Sequence, residues 1–299
     1  MRTRLSRVAF TTIELLVALV IGGMVAAGIG RVLRHQQRFY TSAALLVEQR
    51  VSLRDATGIL PGELRALSPA SGDVLAFSDS ALEIRATIGT AIACDTVPGG
   101  GGIALAPVSG RSAPLTSFTM APQAGDMALV YDSGASDGAS DDVWIALDVA
   151  DAAASTSVCS GSPFAPTAMA AGPPIVVRFG TRVPASVRAG AFVRVLRRVR
   201  YRFYRAGTGD WYLGYSEWSA SGFSVVQPVS GPFASYSPRG GSGLALRYFD
   251  DNGAELLDPG DALRIARVSV AARGVGRGTL AGTGAVIDSQ TVGVRVRNR

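Results

Sequence analysis

The chain has 299 residues, 47% of them hydrophobic and only 17% charged, with 36 glycines. That is long enough for one large domain or two ordinary ones, and too apolar for a disordered chain. Arginine supplies every basic residue and the net charge is +6. We read the arginine bias as genome composition. A single histidine, His35, removes most histidine-based chemistry. Two cysteines, Cys94 and Cys159, with no C-x-x-C, exclude a cysteine metal cluster.

The first nine residues, MRTRLSRVA, hold Arg2, Arg4 and Arg7 and no acid. An apolar run follows from Phe10 to Gly30, and its only charged side chain is Glu14. As a helix, that run spans about 31 Å, enough to cross a bilayer. Basic flanks stay cytoplasmic, which puts the N-terminus inside and everything after Arg31 outside. A cleaved signal peptide with VAAG (25–28) as its processing site, a plain single-pass anchor and a prepilin leader all share this layout. Glu14 separates them. A carboxylate in lipid costs roughly 2.5–3.5 kcal/mol, and neither a signal core nor a plain anchor gains from it.

AFTTIELLVALVI (9–21) resembles the processing and methylation motif of type IV pilins and pseudopilins. The resemblance implies cleavage between Ala9 and Phe10 by a membrane aspartic peptidase, N-methylation of Phe10, and an assembly role for Glu14. Ala9 departs from the glycine usual before the cut. Cleavage would free an amine on Phe10, and Glu14 would face the corresponding amine of a neighbouring subunit, since each charge needs a partner in lipid. Before assembly Glu14 lies near enough to the headgroups to snorkel.

Helical spacing continues from Arg31 through Val32, Leu33, Phe39, Leu45, Leu46, Val51 and Leu53 to Ile59, Leu60, Leu64 and Leu67. Gly58, Pro61 and Gly62 predict a bend or interruption at 58–62. His35, among Arg34, Gln36 and Gln37, reads as solvated rather than metal-binding. The expected organisation is a leader over 1–9, a long helix over 10–67 with 10–30 in the membrane, and a β-rich extracytoplasmic head over 68–299. The fold class is α+β with a mainly antiparallel head.

Within the head, 73–77 and 81–88 read as a hairpin around Ser78–Ser80. Further strands are expected at 127–132, 142–149, 191–206, 211–218, 244–250, 262–273 and 285–299. Stretches 89–126 and 150–173, rich in Gly, Pro, Ala and Ser, read as long loops. The order of segments over 191–299 is similar to PilW-type minor pilins and to J-type minor pseudopilins of type II secretion. That similarity does not extend to 90–175. The size of the head implies a minor subunit at a tip or initiation complex.

GASDG (134–138) matches G-x-S-x-G at Ser136, but no histidine follows it, and we expect no enzyme. Asp132, Asp137, Asp141 and Asp142, and separately DDNGAELLD (250–258), invite a Ca²⁺ reading. Turn chemistry explains both better, so no cofactor is expected. Along 191–206, Val193, Val195, Val199, Tyr201 and Phe203 share one face, and Arg194, Arg198, Arg200 and Arg202 the other. Such a stripe can track a phosphate backbone, which makes DNA a partner to consider. Pairing with acids across a half-exposed sheet is the better explanation.

Cys94 and Cys159 are both expected outside the cytoplasm, an even pair in loops with little apolar packing, and hence a disulfide. The partners implied by the resemblance are other pilins through the N-terminal helix, the prepilin peptidase, the inner membrane and the assembly platform. A permanently anchored exported binding protein, an adhesin or a DNA-binding head, is the alternative. The sequence leaves open which machine the chain serves.

Overall fold

The computed structural model describes residues 11–107, 116–134, 140–165, 172–238, 240–275 and 287–296. Ala9, Phe10, Ser136 and Asp137 lie outside them, as do the ends of the expected last strand at 285–286 and 297–299. One long helix, α1 (Thr12–Ala66), is followed by a mainly antiparallel β domain. The chain divides into two compact units. One comprises 1–51 with 275–288, and the other 52–274 with 289–299.

In the first unit, the start of α1, residues 12–29, is apolar and bare. Ile13, Leu15, Leu16, Val17, Leu19, Val20, Ile21, Met24 and Val25 are all exposed. An 18-residue window of the helix has mean hydropathy 2.2, with none of it buried. A helix apolar all round needs an apolar medium or partners. It is long and apolar enough for a single-pass membrane segment.

The second unit begins with the last turns of α1. Leu53, Ala56, Leu60 and Leu64, with Leu67 just beyond the helix, are buried at three- and four-residue steps. The single long helix expected across 58–62 is there, continuous through Pro61. An interior proline costs about 3 kcal/mol. Leu60 and Leu64 flank it and are fully buried, each recovering about 1.5–3 kcal/mol. Packing of this face outweighs the local preference.

The strands are β1 (Val74–Phe77), β2 (Ala81–Thr96), β3 (Gly102–Leu105), β4 (Ser117–Phe118), β5 (Met127–Asp132), β6 (Val143–Ala154), β7 (Ile175–Phe179) and β8 (Phe192–Arg205). They continue with β9 (Trp211–Ser219), β10 (Gly222–Phe223), β11 (Gln227–Phe233), β12 (Leu244–Phe249), β13 (Glu255–Leu256), β14 (Arg267–Arg273) and β15 (Ser289–Arg295). The β1–β2 and β8–β9 hairpins stand where the sequence puts them. Residues 89–126 and 150–173 are not plain loops. The first stretch contains the second half of β2, all of β3 and β4, and a 3-10 turn at Pro98–Gly100, and the second contains the end of β6. Residues 262–264 are not strand either; they complete a 3-10 turn, Pro259–Arg264, whose Gly260 N–H is capped by Asp258.

The larger sheet curls. Its order runs β2–β3–β7–β6–β5–β8, and β8 pairs again with β2 along most of its length. These strands close into a six-stranded antiparallel barrel. Ala91, Ala93, Ile103, Leu105, Ala128, Val130, Leu147, Val149, Val177, Phe179, Val193 and Val195 form its core. Beyond the barrel, β2 and β8 run on as an open sheet with β1, β9, β10 and β11. One face of that sheet, through Leu82, Ile84, Val199, Tyr201, Phe203 and Leu213, packs on α1 in a second core. A four-stranded sheet, β13–β12–β14–β15, contributes Leu244, Leu246, Tyr248, Val268 and Val270 to that same core.

Candidate functional site

Two groups of residues matter here: the start of the bare helix and the charged side chains of β8. At the helix start, Thr11 Oγ1 accepts from the Glu14 backbone N–H at 3.3 Å. A threonine three residues before the acid satisfies one of the orphan donors of the first turn. The Glu14 side chain remains exposed and charge-compatible with the helix N-terminus. The cap uses only the Glu14 main chain, not its carboxylate. His35 is helical and exposed, as the sequence implies.

The basic stripe of β8 comes together, but not as a free cationic track. Glu83, on β2 opposite Arg200, is buried and accepts from both Arg198 and Arg200, the latter at 2.7 and 3.0 Å. Arg194 donates to Thr87 Oγ1 at 2.7 Å and to the carbonyl of Ala66 at 3.2 Å, closing the C-terminal end of α1. That is where a cation suits the helix dipole. Arg202 is exposed, above the Tyr204 ring. The stripe is thus largely a face paired across the sheet.

Aromatic rings missed in the sequence order this face further. Arg198 stacks 4.5 Å from the Trp218 ring, and Arg200 lies 3.8 Å from the Phe223 ring. Trp218 and Phe223 face each other across β9 and β10. Alongside runs a shallow groove of about 480 Å³, lined by Glu83, Arg85, Met127, Asp148, Arg198 and Trp218 among others.

Arg197 is the residue most clearly misjudged by periodicity. It falls on the apolar face of β8, between the barrel residues Val193 and Val195 and the helix-facing Val199 and Tyr201. It is almost completely buried. Nε and Nη2 donate to Asp126 at 2.8 and 2.9 Å, Nη1 to Glu217 at 3.0 Å, and Nη2 also to the Ala121 carbonyl at 2.8 Å. The Asp126 hydrogen bonds push its pKa up from an already high value. A charged residue on a strand's apolar face is the signal that could have found it, since such a group must meet a buried partner.

Cys94 and Cys159 form a disulfide with Cα atoms 5.3 Å apart. It sits among Ala104, Ala106, Ala165 and Val176 in a small core of its own. The described candidate Ca²⁺ carboxylates serve turns and tertiary hydrogen bonds. Asp132 accepts from the Gly134 N–H and Ser186 Oγ, Asp142 from the Tyr131 hydroxyl, and Asp250 from the Asn252 and Ala254 N–H groups of the β12–β13 hairpin.

Compared with family models, curated proteins and solved structures, the chain has no match. A long N-terminal apolar helix whose last turns pack on an antiparallel β head is a pilin-like arrangement.

Burial raises the Glu63 pKa from its ordinary 4.5. Desolvation, then Glu63 itself, pushes Tyr201 up; Tyr215 is raised by desolvation first and by Glu217 next. Tyr201 and Tyr215 belong to or pack against the core formed with the last turns of α1.

Proposed function

We propose that the chain is a minor pilin or pseudopilin. In this reading it is processed between Ala9 and Phe10, methylated on Phe10, and built through α1 into a type IV pilus or a type II secretion pseudopilus at a tip or initiation complex. Its partners are then other pilins, the prepilin peptidase, the inner membrane and the assembly platform. Its head lies in the periplasm or outside the cell. Its role is structural rather than enzymatic. The observation that supports the reading is a bare apolar stretch at the start of α1, residues 12–29, whose only acid, Glu14, stands in the first turn and takes part in the Thr11 cap through its main chain alone.

Glu14→Ala tests it. Thr11 still caps the main chain of the variant, so insertion and cleavage should match the wild type. Recovery in sheared filaments, or in the assembled pseudopilus, should fall to a small fraction. Glu14→Gln should behave alike, since it keeps the shape and loses the charge that pairs with an amine. Normal incorporation of both variants would sink the assembly role of Glu14.

A further inference from the structure

An open strand edge invites pairing with another chain, and natural proteins blunt such edges. The ends β1, β10, β11 and β13 are blunted here. β1 has four residues and a register shift, β10 and β13 have two residues each, and β11 carries Pro228 and Pro232 with two register shifts. β15 is different. It runs for seven residues, pairs with β14 at every one of them without a shift, and holds neither proline nor acid. Among the described residues, β14 is its only partner strand.

The register shows which backbone groups face the open edge. The Val296 N–H donates to the Ala266 carbonyl at 3.1 Å, so Val296, Val294 and Val292 turn their backbone groups toward β14. By alternation Thr291, Gly293 and Arg295 turn theirs away from it. Val292 and Val294 pack into the core shared with α1, which puts the Thr291 and Arg295 side chains on the outer face of the sheet. Thr291, Gly293 and Arg295 are all exposed.

That outer face is cationic. Arg267 lies directly opposite Arg295, and like charges so placed are destabilising. Arg267 stacks 3.9 Å from the Phe249 ring. Among the described residues, neither guanidinium donates a hydrogen bond or has an acid within ion-pair distance. Arg247, on the same face, is already paired with Glu255. Asp250, in the nearby β12–β13 turn, is taken by Arg264 and by two turn N–H groups, and Asp251 beside it is engaged as well. The two facing arginines therefore lack the carboxylate that such a pair calls for.

We propose that the β15 edge takes an extended acidic segment of a partner protein as a fifth strand of this sheet. The backbone ladder forms with Thr291, Gly293 and Arg295, and carboxylates of the segment meet Arg295 and Arg267. The ladder supplies affinity, and charge complementarity chooses the partner. A nucleic acid would use the arginines but leave the backbone groups unmatched. A second copy of this chain would add another face of the same sign. The edge belongs to the head, so the inference goes beyond the assembly reading of α1 and does not rest on it.

The test uses the full chain in micelles of an uncharged detergent and a fluorescent octapeptide of alternating valine and glutamate, with binding read by anisotropy. Binding should weaken as salt rises. The same peptide N-methylated at every residue keeps its charge, loses its donors and should not bind. Thr291→Pro removes an N–H that faces only the open edge, a place where a strand tolerates proline, and should lower affinity about tenfold. Arg295→Glu should lower it about as much and flatten the salt dependence. Both positions are exposed, so unchanged melting temperatures identify variants that fold. No binding of the acidic peptide at low salt would overturn the proposal. So would equal binding of the N-methylated peptide, or full affinity in both folded variants. Binding of a DNA oligonucleotide in place of the peptide, or a dimer of the chain that Thr291→Pro dissolves, would assign the edge to a different occupant and overturn it too.

Discussion

Arg197→Leu is expected to destabilise the head by about 3–5 kcal/mol, the usual cost of breaking a buried ion pair from one side. The physical reason lies with the partner. Asp126 has a fully buried side chain and holds Arg197 through two hydrogen bonds. Without the guanidinium it keeps only the Gln123 N–H at 2.8 Å. Glu217, at 30% side-chain exposure, can turn to water and loses less. The loop carbonyl of Ala121 also loses its donor. The double variant Arg197→Leu, Asp126→Leu should therefore be much less destabilised than the single one, because it leaves no unpaired charge. Denaturant unfolding of both variants checks this. A single variant within about 1 kcal/mol of wild type, or a double variant worse than the sum of its parts, would show that the junction is not held by this pair.

Removal of the Cys94–Cys159 disulfide is the second large expected loss. The bridge spans a sequence separation of 65, which in the chain-entropy model is worth about 4 kcal/mol. For a head of this size, that corresponds to a fall in melting temperature of roughly 10 °C. The bridge ties the second half of β2 to the segment after β6, where residues 155–165 have no helix or strand to anchor them. Cys94→Ala with Cys159→Ala should lower the melting temperature and make this segment the first target of limited proteolysis. The rest of the barrel, whose core does not include the bridge, should remain resistant until global unfolding. Equal melting temperatures for the wild type and the double variant would contradict this assignment.

The helix and its two fates were legible from residue types alone. Its first part is an unbroken apolar run, and its last part repeats leucines at helical steps onto one buried face. Propensity alone would end the helix at Pro61; the helical spacing of Leu60 and Leu64, whose packing is a tertiary effect, carries it through. The barrel was hidden for a related reason. Two of its strands, β3 and β7, are only 4 and 5 residues long, and β3 lies in a Gly- and Ala-rich stretch that resembles a loop. β3 is a strand because β2 and β7 flank it, and sequence spacing does not reveal such partners. The alternation of β8 was read correctly for Arg198 and Arg200, including their pairing with an acid across the sheet. Arg197 was passed over because it sits where one strand crosses between two cores, a position that exists only after the barrel closes.

The central claim is that the apolar helix belongs to a processed, assembling subunit rather than to a permanent anchor or a discarded signal. Intact-mass and N-terminal peptide analysis of the chain, purified from the membranes of its own cell, tests this most directly. The account predicts loss of residues 1–9 and one added methyl group on the α-amine of Phe10. An unprocessed chain beginning at Met1, or one cut after the apolar run near Val25–Gly28, would contradict it.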